Sequence, residues 1–303
     1  MSIAASLEAL GLSPLTDEPL SRHGFWRIGG PADALVTITT AAQLAEVMAL
    51  SVPVTVLGNG SNLLIADAGI RGVVVKLKGD FLTSTVEGDV LEVGGGLLNA
   101  ALLARLARQG LGGLGCLAGI PGTVGGAIRM NAGWRLGEIG RATQAVEAVL
   151  QGGETVRYTS EDIGFEYRSA PGLPDGAVVT RAWLSVTSGV AVAQERAEIR
   201  EYLGRRKATQ PLSQPSCGSV FKNPPGDYAG RLIEAVGLKG HTIGGAQISE
   251  KHANFIVNIG GATAADVYGL IKLARDTVRA ETGAVIEPEV HAVGAWPEGA
   301  WPL

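Results

Sequence analysis

Cysteine is scarce in this chain, and histidine does not cluster. Cys116 and Cys217 are the only cysteines in 303 residues, and they form no CxxC pair. So few cysteines exclude a disulfide framework and favour a reducing compartment, and we therefore predict a cytoplasmic location. The four histidines are scattered along the sequence, so no metal site is predicted.

Long hydrophobic runs and an excess of positive charge are also missing. No segment approaches the roughly 18 consecutive apolar residues of a membrane span, so membrane insertion is not expected. The N-terminal stretch lacks a basic start and is interrupted by Glu8, so no signal peptide is expected. The formal net charge of -4 argues against nucleic acid or an anionic membrane as the main partner. No obligatory protein partner is inferred.

Apolar residues and glycine are abundant instead. Hydrophobic residues make up 46% of the chain and charged residues 18%, which is ample apolar material for a core. The 44 glycines are about twice the usual share of roughly 7%, whereas aromatic residues reach only 5%. Glycine permits a positive φ angle or a close approach of a ligand to the backbone, although a compositional bias also explains the number. The placement of the glycines along the chain therefore decides between a conformational role and a compositional bias.

Strands and helices alternate along the chain, which predicts an α+β or mixed α/β fold. Strands are predicted at residues 34–38, 53–57, 73–77, 90–93, 145–150, 177–186, 254–258 and 289–293. Helices are predicted at 97–108, 193–206 and 229–236 and after two capping boxes, Thr40-Ala-Ala-Gln43 and Thr263-Ala-Ala-Asp266. We predict an N-terminal lobe of residues 1–190 with two subdomains split near residue 80. A joining helix at 191–206, a C-terminal α+β domain at 207–294 and a tail at 295–303 follow.

Two glycine-rich loops indicate an anion site. The first follows a predicted strand and consists of Gly58, Asn59, Gly60, Ser61 and Asn62. The second contains Gly119, Ile120, Pro121, Gly122, Thr123, Val124, Gly125 and Gly126. Such loops can turn several backbone N–H groups toward one point, and two of them in one lobe suit a diphosphate held from both sides. Ordinary tight turns are the alternative interpretation of each loop.

The common nucleotide-binding motifs do not occur at these loops. GxxxxGK[ST] is absent, which disfavours a P-loop triphosphatase. GxGxxG is absent at the first strand–helix turn, which disfavours a Rossmann dinucleotide lobe. Neither class therefore explains the two loops.

Six ordered motifs resemble the UDP-N-acetylenolpyruvoylglucosamine reductase (MurB) family, and the resemblance covers about residues 22 to 294. The motifs are Arg27-Ile-Gly-Gly-Pro31, Val56-Leu-Gly-Asn-Gly-Ser-Asn-Leu-Leu64, Gly119-Ile-Pro-Gly-Thr-Val-Gly-Gly-Ala127 with Met130-Asn-Ala-Gly133, Phe165-Glu-Tyr-Arg168, Gly218-Ser-Val-Phe-Lys-Asn-Pro224 and Glu287-Pro-Glu-Val290. Each motif alone is weakly specific, whereas six in the family order are specific. The stretch after Val186 is short, so the chain resembles the shorter family type, which lacks a substrate-covering tyrosine insertion.

The resemblance implies a fold and an activity. It implies an FAD-binding lobe of the vanillyl-alcohol-oxidase type, built from two subdomains, and a C-terminal α+β substrate-binding lobe. Residues 58–62 and 119–126 would bind FAD non-covalently, and neither loop contains a histidine for a covalent flavin link. NADPH would be the co-substrate. The reaction would be the reduction of UDP-N-acetylglucosamine enolpyruvate to UDP-N-acetylmuramate, a step in the synthesis of peptidoglycan precursors.

The resemblance also implies roles for single residues. The catalytic positions of the family are matched by Arg168, Ser219 and Glu289. The positions that contact the nucleotide sugar are matched by Lys207, Asn223 and His252. The sequence departs from the family pattern at Phe25-Trp26, before the first motif, and at Trp134, where a tyrosine commonly follows Asn-Ala-Gly.

These residue types suit the implied chemistry. Arg168 offers a permanently charged, bidentate partner for a substrate carboxylate. Ser219 can donate a proton to a carbanion-like carbon, and Glu289 can polarise the substrate, particularly as a neutral acid. Each residue also has a structural interpretation: a surface ion pair for Arg168, a turn for Ser219 and a solvated edge carboxylate for Glu289. Cys217 is interpreted as a small buried residue, because the sequence shows no histidine partner for it.

Three other functions compete with this interpretation. A flavin oxidase would share the FAD fold but has no reason to carry the motif at residues 218–224. A non-catalytic flavin- or nucleotide-sugar-binding protein would tolerate replacement of Arg168 or Ser219. A serine hydrolase is disfavoured, because GxSxG is absent around Ser219.

Overall fold

The computed structural model describes residues 2–300, which form two compact units. Unit 1 comprises the described residues up to Thr16 together with Ala34–Asn59 and Gly72–Gly204. Unit 2 comprises Asp17–Asp33, Gly60–Arg71 and the described residues from Arg205 onward. This grouping differs from the predicted contiguous lobe of residues 1–190, because two early segments belong to the second unit. The last three residues of the predicted tail lie outside the described residues.

The helices begin and end close to the predicted positions where a capping signal or a glycine marks their ends. In chain order they are α1 (Ile3–Ala9), α2 (Ala41–Met48), α3 (Asn99–Arg108), α4 (Val124–Arg129), α5 (Ser160–Ile163), α6 (Val190–Thr209), α7 (Ala229–Ala235) and α8 (Ala264–Thr282). Helix α6 covers the predicted joining helix, and the boundary between the two units falls inside it, after Gly204.

The strands are mostly short. In chain order they are β1 (Leu15–Pro19), β2 (Pro31–Ile38), β3 (Val54–Val56), β4 (Leu63–Ile65), β5 (Ile70–Leu77), β6 (Ser84–Glu87), β7 (Val90–Gly94), β8 (Gly133–Trp134), β9 (Gly137–Glu138), β10 (Thr143–Val149), β11 (Thr155–Thr159), β12 (Val178–Ser185), β13 (Thr242–Ile243), β14 (Ala246–Ile248), β15 (Ile256–Asn258) and β16 (His291–Val293). Two predicted strands are shorter than expected, because only the ends of 254–258 and 289–293 form β15 and β16.

Unit 1 contains most of a four-stranded sheet and all of a five-stranded one. The first has the order β1-β2-β5-β3, and β3 runs parallel to β5. The second has the order β11-β10-β12-β7-β6 and is antiparallel throughout. Each sheet has its own hydrophobic core, one covered by α2 and the other by α3 and α4. The chain passes from the first sheet to the second between β5 and β6, near the predicted split at residue 80.

Helix caps explain where α2 and α8 begin. Thr40 accepts a hydrogen bond from the N–H of Gln43, but the Gln43 carboxamide accepts from the N–H of Thr39 rather than Thr40, so this capping box is incomplete. The box of Thr263 and Asp266 at α8 is complete, as predicted. A side-chain acceptor at this position satisfies N–H groups that the first turn of a helix leaves unpaired.

Unit 2 gathers segments that are far apart in the sequence. Its three-stranded sheet has the order β13-β14-β15, and β16 pairs in parallel with β4, with His291 opposite Leu63. Trp26 is 1% exposed, and its Nε1–H donates to the carbonyl oxygen of Ile256 at 2.7 Å. Burial of this indole and of β4 explains why residues 17–33 and 60–71 belong with the C-terminal part of the chain.

Membrane spans and clustered metal ligands are absent from the part of the chain that the structure describes. Its longest helices, α6 and α8, have 20 and 19 residues, but no helix within 2–300 is apolar enough to cross a membrane. Among the same residues, no group of three or more histidine, cysteine, aspartate or glutamate side chains is arranged to hold a metal ion.

Candidate functional site

The two glycine-rich loops meet within unit 1. The first follows β3, and Thr123 of the second loop caps α4, with its Oγ1 accepting from the N–H of Gly126 at 3.3 Å. A Cβ atom on Gly58 would lie only 2.9 Å from Thr123 Oγ1, which is closer than real Cβ atoms come. Glycine at this position therefore allows the two loops to approach each other.

Four backbone N–H groups in these adjoining loops are available to a ligand. Among the described residues, the N–H groups of Gly58, Asn59, Gly122 and Thr123 donate no hydrogen bond to the protein. The neighbouring N–H of Val124 donates to Leu97 and so holds the loop against the start of α3. Unpaired N–H groups on two adjoining loops are the donors that a diphosphate requires.

The second loop also borders a buried polar atom. Asn99 is 1% exposed, and its Nδ2 donates to the carbonyl oxygen of Ile120 at 3.3 Å. Its Oδ1 is the one buried side-chain oxygen or nitrogen within residues 2–300 that has no hydrogen-bond partner. Sequence reasoning missed Asn99, because its spacing is that of an ordinary helix start. Gly119 and Gly122 take positive φ angles of 70° and 140°, as the glycine-rich sequence predicts.

The remaining residues of the first loop, Gly60, Ser61 and Asn62, belong to unit 2. Gly60 has a φ of 61°, and a Cβ there would lie 2.5 Å from the carbonyl oxygen of His23. The Nδ2 of Asn62 donates to the carbonyl oxygen of Glu289 at 3.0 Å. One predicted flavin ligand therefore supports the backbone of one predicted catalytic residue.

Arg168 lies in a strained turn of unit 1. The backbones of Glu166 and Ser169 exchange two hydrogen bonds, of 3.0 and 3.1 Å, so that Tyr167 and Arg168 form the tip of the turn. Arg168 has a φ of 57°, which is unfavourable for a side chain with a Cβ. Its Nη2 donates to the carbonyl oxygen of Gly133 at 3.2 Å. Backbone strain of this kind concentrates at functional positions.

Asn131 holds this turn in place. It is 2% exposed and has a φ of 39°. Its Nδ2 donates to the carbonyl oxygen of Glu166 at 2.8 Å, and its Oδ1 accepts from the N–H of Gly140 at 2.9 Å. The Met-Asn-Ala-Gly motif includes this residue, but only the structure connects it to the turn that carries Arg168.

Trp134, at which a departure from the resembled family pattern was noted, is fixed by contacts within unit 1. Its ring stacks on Tyr202 of α6 with a centroid distance of 3.5 Å and an interplanar angle of 8°. Its Nε1–H donates to the carbonyl oxygen of Gly115 at 3.0 Å. The Glu195 carboxylate, also on α6, accepts from the N–H groups of Gly113 and Gly115. Helix α6 therefore supports the hairpin that follows Asn131.

Ser219 and Glu289 are brought together within unit 2. The N–H of Glu289 donates to the carbonyl oxygen of Val220, the residue after Ser219, at 2.7 Å. The N–H of Lys222 donates to the carbonyl oxygen of Glu287 at 2.9 Å. The two motifs thus run side by side, and Glu289 lies just before β16 rather than in a strand. The third candidate, Arg168, lies in unit 1.

The predicted nucleotide-sugar residues all lie in unit 2. Lys207 is exposed in the last turn of α6. Asn223 Oδ1 accepts from the N–H of Ala229 at the start of α7, at 3.1 Å. His252 Nδ1 accepts from the N–H of Asn254 at 3.3 Å, and burial lowers the pKa of His252. The imidazole is therefore neutral at pH 7 with its proton on Nε2, which leaves Nε2–H as a donor.

Both cysteines are buried, as interpreted for Cys217, and should not react in the folded protein. Burial raises the pKa of Cys217 to about 12, and burial together with the negative charge of Glu195 raises the pKa of Cys116 to about 12. Since the thiolate is the reactive form, DTNB at pH 8 should label neither thiol of the native protein and both after unfolding. Rapid labelling of the native protein would contradict this expectation.

Known families, named proteins and a solved structure match this chain over most of its length. Residues 32–159 match the FAD binding domain family, and residues 210–293 match the family described as UDP-N-acetylenolpyruvoylglucosamine reductase, C-terminal domain. The UDP-N-acetylenolpyruvoylglucosamine reductase 2 of Symbiobacterium thermophilum is 45% identical over 288 residues, covering 94% of this chain and 92% of that protein. The UDP-N-acetylenolpyruvoylglucosamine reductase of Moorella thermoacetica is 44% identical and covers 98% of both chains. The crystal structure of the Thermus caldophilus reductase superposes with a TM-score of 0.80 at 41% identity, covering 94% of this chain and 99% of that one.

The family matches and the named relatives identify an oxidoreductase with an FAD-binding domain and a C-terminal domain of its own. The predicted α+β class and the predicted FAD-binding lobe are confirmed. The identity and coverage of its relatives show that the chain belongs to the UDP-N-acetylenolpyruvoylglucosamine reductase family.

Proposed function

We propose that this protein reduces UDP-N-acetylglucosamine enolpyruvate to UDP-N-acetylmuramate with electrons from NADPH, by way of FAD. The observation that carries the proposal is the pairing of the segment bearing Ser219 with the segment bearing Glu289 in unit 2. Both residues match catalytic positions of the family. Each is only partly buried, so part of each residue is exposed and can be reached by a substrate. We also propose a cytoplasmic location, which is supported by the two cysteines being free thiols.

The two glycine loops would hold FAD without a covalent bond. Their four unpaired N–H groups fit the diphosphate, and the unpartnered oxygen of Asn99 lies beside the second loop. When bound, FAD supplies the hydride that it takes from NADPH, because no protein side chain can do so. Contacts from Gly60, Ser61, Ile120, Pro121, Gly125 and Gly126 are part of the same proposal.

Three side chains would handle the charge and the proton. Hydride addition at the terminal carbon of the enolpyruvyl group leaves negative charge on the α-carbon and the carboxylate. Arg168 would bind the carboxylate with its guanidinium fork. The hydroxyl of Ser219 would donate its proton to the α-carbon and then regain one from solvent. Glu289 would polarise the same group of atoms as a hydrogen-bond donor in its neutral form.

The nucleotide-sugar half of the substrate would bind unit 2. His252 offers a neutral Nε2–H donor, and the Nδ2 of Asn223 remains available because only its Oδ1 is used by α7. Lys207 would pair with the diphosphate as an exposed cation. These contacts would orient the enolpyruvyl group and need not change during the reaction.

The test follows flavin absorbance under anaerobic conditions. NADPH should bleach the purified holoprotein, and subsequent addition of UDP-N-acetylglucosamine enolpyruvate should restore the oxidised spectrum. Bleaching without recovery would retain the FAD-binding domain and reject the proposed substrate. Readmission of oxygen would then test the alternative of a flavin oxidase, for which rapid recovery with oxygen is expected.

Substitution of Gly58 should weaken FAD binding. The Cβ of a valine at this position would lie 2.9 Å from Thr123 Oγ1, which is too close for a normal contact. The two loops would therefore be pushed apart. Overpacking of this kind costs roughly 1–3 kcal/mol, so the Kd of the apoprotein for FAD should rise by about 5- to 150-fold. Titration of apoprotein with FAD, followed by the quenching of flavin fluorescence, measures this effect.

The matched control is Gly204→Val in α6, where a Cβ would meet no atom within 4 Å. It should leave the Kd for FAD at the wild-type value. Equal affinities of the Gly58 variant and wild type would mean that the junction of the two loops is not the flavin site.

A further inference from the structure

Asn254 binds the backbone of the segment that carries Ser219. Asn254 is 4% exposed. Its Oδ1 accepts from the N–H of Phe221 at 2.9 Å, and its Nδ2 donates to the carbonyl oxygen of Phe221 at 2.8 Å. Its own carbonyl oxygen accepts from the N–H of Val220 at 2.9 Å. One residue thus provides three of the hydrogen bonds that a neighbouring strand would otherwise provide.

The opposite edge of the same segment is held by the residues around Glu289. The carbonyl oxygen of Val220 accepts from the N–H of Glu289, and the N–H of Lys222 donates to Glu287. Every backbone group from the N–H of Val220 to the N–H of Lys222 therefore has a partner. Asn254 and Glu289 hold the segment from its two edges.

Ser219 lies just outside this bonded stretch. Among the described residues, 216–219 make no backbone–backbone hydrogen bond. The preceding fixed point is the carbonyl oxygen of Pro215, which accepts from the N–H of Asn258 at 2.9 Å. Gly218 has a φ of 78°, a conformation that gives the chain a sharp change of direction before Ser219. The position of Ser219 therefore depends on the anchor at Val220 and Phe221.

We propose that Asn254 is a positioning residue, which sets the direction of the Ser219 hydroxyl toward the carbon that it protonates. The inference rests on the proposed role of Ser219. Asn254 itself would not touch the reacting atoms. It acts through Phe221 and Val220, whose backbone it fixes with two side-chain hydrogen bonds and one from its own carbonyl oxygen.

The experiment separates the two halves of the catalytic cycle in the holoenzyme. Asn254→Leu removes both side-chain hydrogen bonds with little change in volume, whereas Asn254→Asp keeps the acceptor for Phe221 N–H. Anaerobic stopped-flow absorbance measures the rate of bleaching by NADPH and the rate of recovery with UDP-N-acetylglucosamine enolpyruvate. Misplacement of a catalytic group by about 1 Å costs about 100-fold in rate. We expect a loss of this size in recovery for the leucine variant, a smaller loss for the aspartate variant and unchanged bleaching in both.

A second readout follows the proton. If Ser219 is misplaced, its proton transfer becomes slower relative to hydride transfer, so the solvent deuterium isotope effect on recovery should increase in both variants. A residue that only stabilises the fold would not change this isotope effect. The matched control is Asn258→Leu, which removes the side-chain hydrogen bonds to Trp26, Gly260 and Ala262 in the same unit and should keep the wild-type ratio of the two rates.

Equal slowing of bleaching and recovery, or no slowing of recovery, would overturn the proposal. If the leucine variant does not fold, the aspartate variant decides by the same criteria. Wild-type enzyme is measured first: if the sugar does not restore its oxidised spectrum, the proposed function itself fails. If wild type recovers normally and both Asn254 variants keep its rate ratio and isotope effect, only the positioning role fails.

Discussion

Replacement of Ser219 by alanine should slow the recovery of oxidised flavin by about 100- to 10,000-fold, the range expected for loss of a general acid. Bleaching by NADPH should continue at the wild-type rate, because no proton from Ser219 is needed when FAD is reduced. The side-chain change is small, and the backbone of the next residue is held by Asn254 and Glu289. Stopped-flow absorbance under anaerobic conditions measures both rates.

Ser216→Ala provides the control for the serine substitution. Ser216 lies in the same segment, three residues earlier, and matches none of the predicted site positions. Its recovery rate should equal that of wild type. A Ser219→Ala enzyme with normal recovery would remove Ser219 from the mechanism and would favour a proton donated by solvent or another side chain.

Replacement of Arg168 by lysine should reduce kcat/KM for the enolpyruvyl sugar by about 100-fold or more, since an oriented donor of this kind contributes roughly 3–4 kcal/mol to the transition state. Lysine keeps the positive charge but cannot form the planar bidentate pair with a carboxylate. It has a Cβ like arginine, so the strain at a φ of 57° remains the same in both enzymes. The change therefore isolates the guanidinium group.

The control for Arg168 is Arg181→Lys, at an exposed ion pair with Glu92 in the same unit. Exposed ion pairs contribute little, so kcat/KM should be unchanged. It also matters whether the loss in kcat/KM comes from KM or from kcat. A rise in KM with normal kcat would show uniform binding of the carboxylate, whereas a fall in kcat would show that Arg168 acts in the transition state.

Features that depend on nearby residues were predictable from the sequence. The capping box of Thr263 and Asp266 begins α8 as expected, because the interacting atoms are three residues apart. Apolar runs predicted β5 and β12, and the Gly-rich loops have the positive φ angles expected at Gly60, Gly119 and Gly122. Even here a local pattern was incomplete, because the Gln43 side chain bonds Thr39 instead of closing the box at Thr40.

The family resemblance extended this prediction to the class of fold, but not to how the chain divides. The predicted contiguous lobe of residues 1–190 includes residues 17–33 and 60–71. They belong to unit 2, where Trp26 is buried and β4 pairs with β16 more than 200 residues later. No pattern within a short segment specifies such a partner, since the pairing is stabilised by burial that many distant residues share.

The sequence by itself determined the residue types of the site, the starts of α2 and α8 and the two loops rich in glycine. Only the tertiary structure decided which backbone groups have partners. It leaves four N–H groups unpaired at the junction of Gly58 and Thr123, bonds Asn254 to the segment of Ser219, and bonds Asn131 to the turn of Arg168. The physical reason is that a propensity or a cap acts over about four residues, whereas a buried polar group must find its partner wherever packing places one.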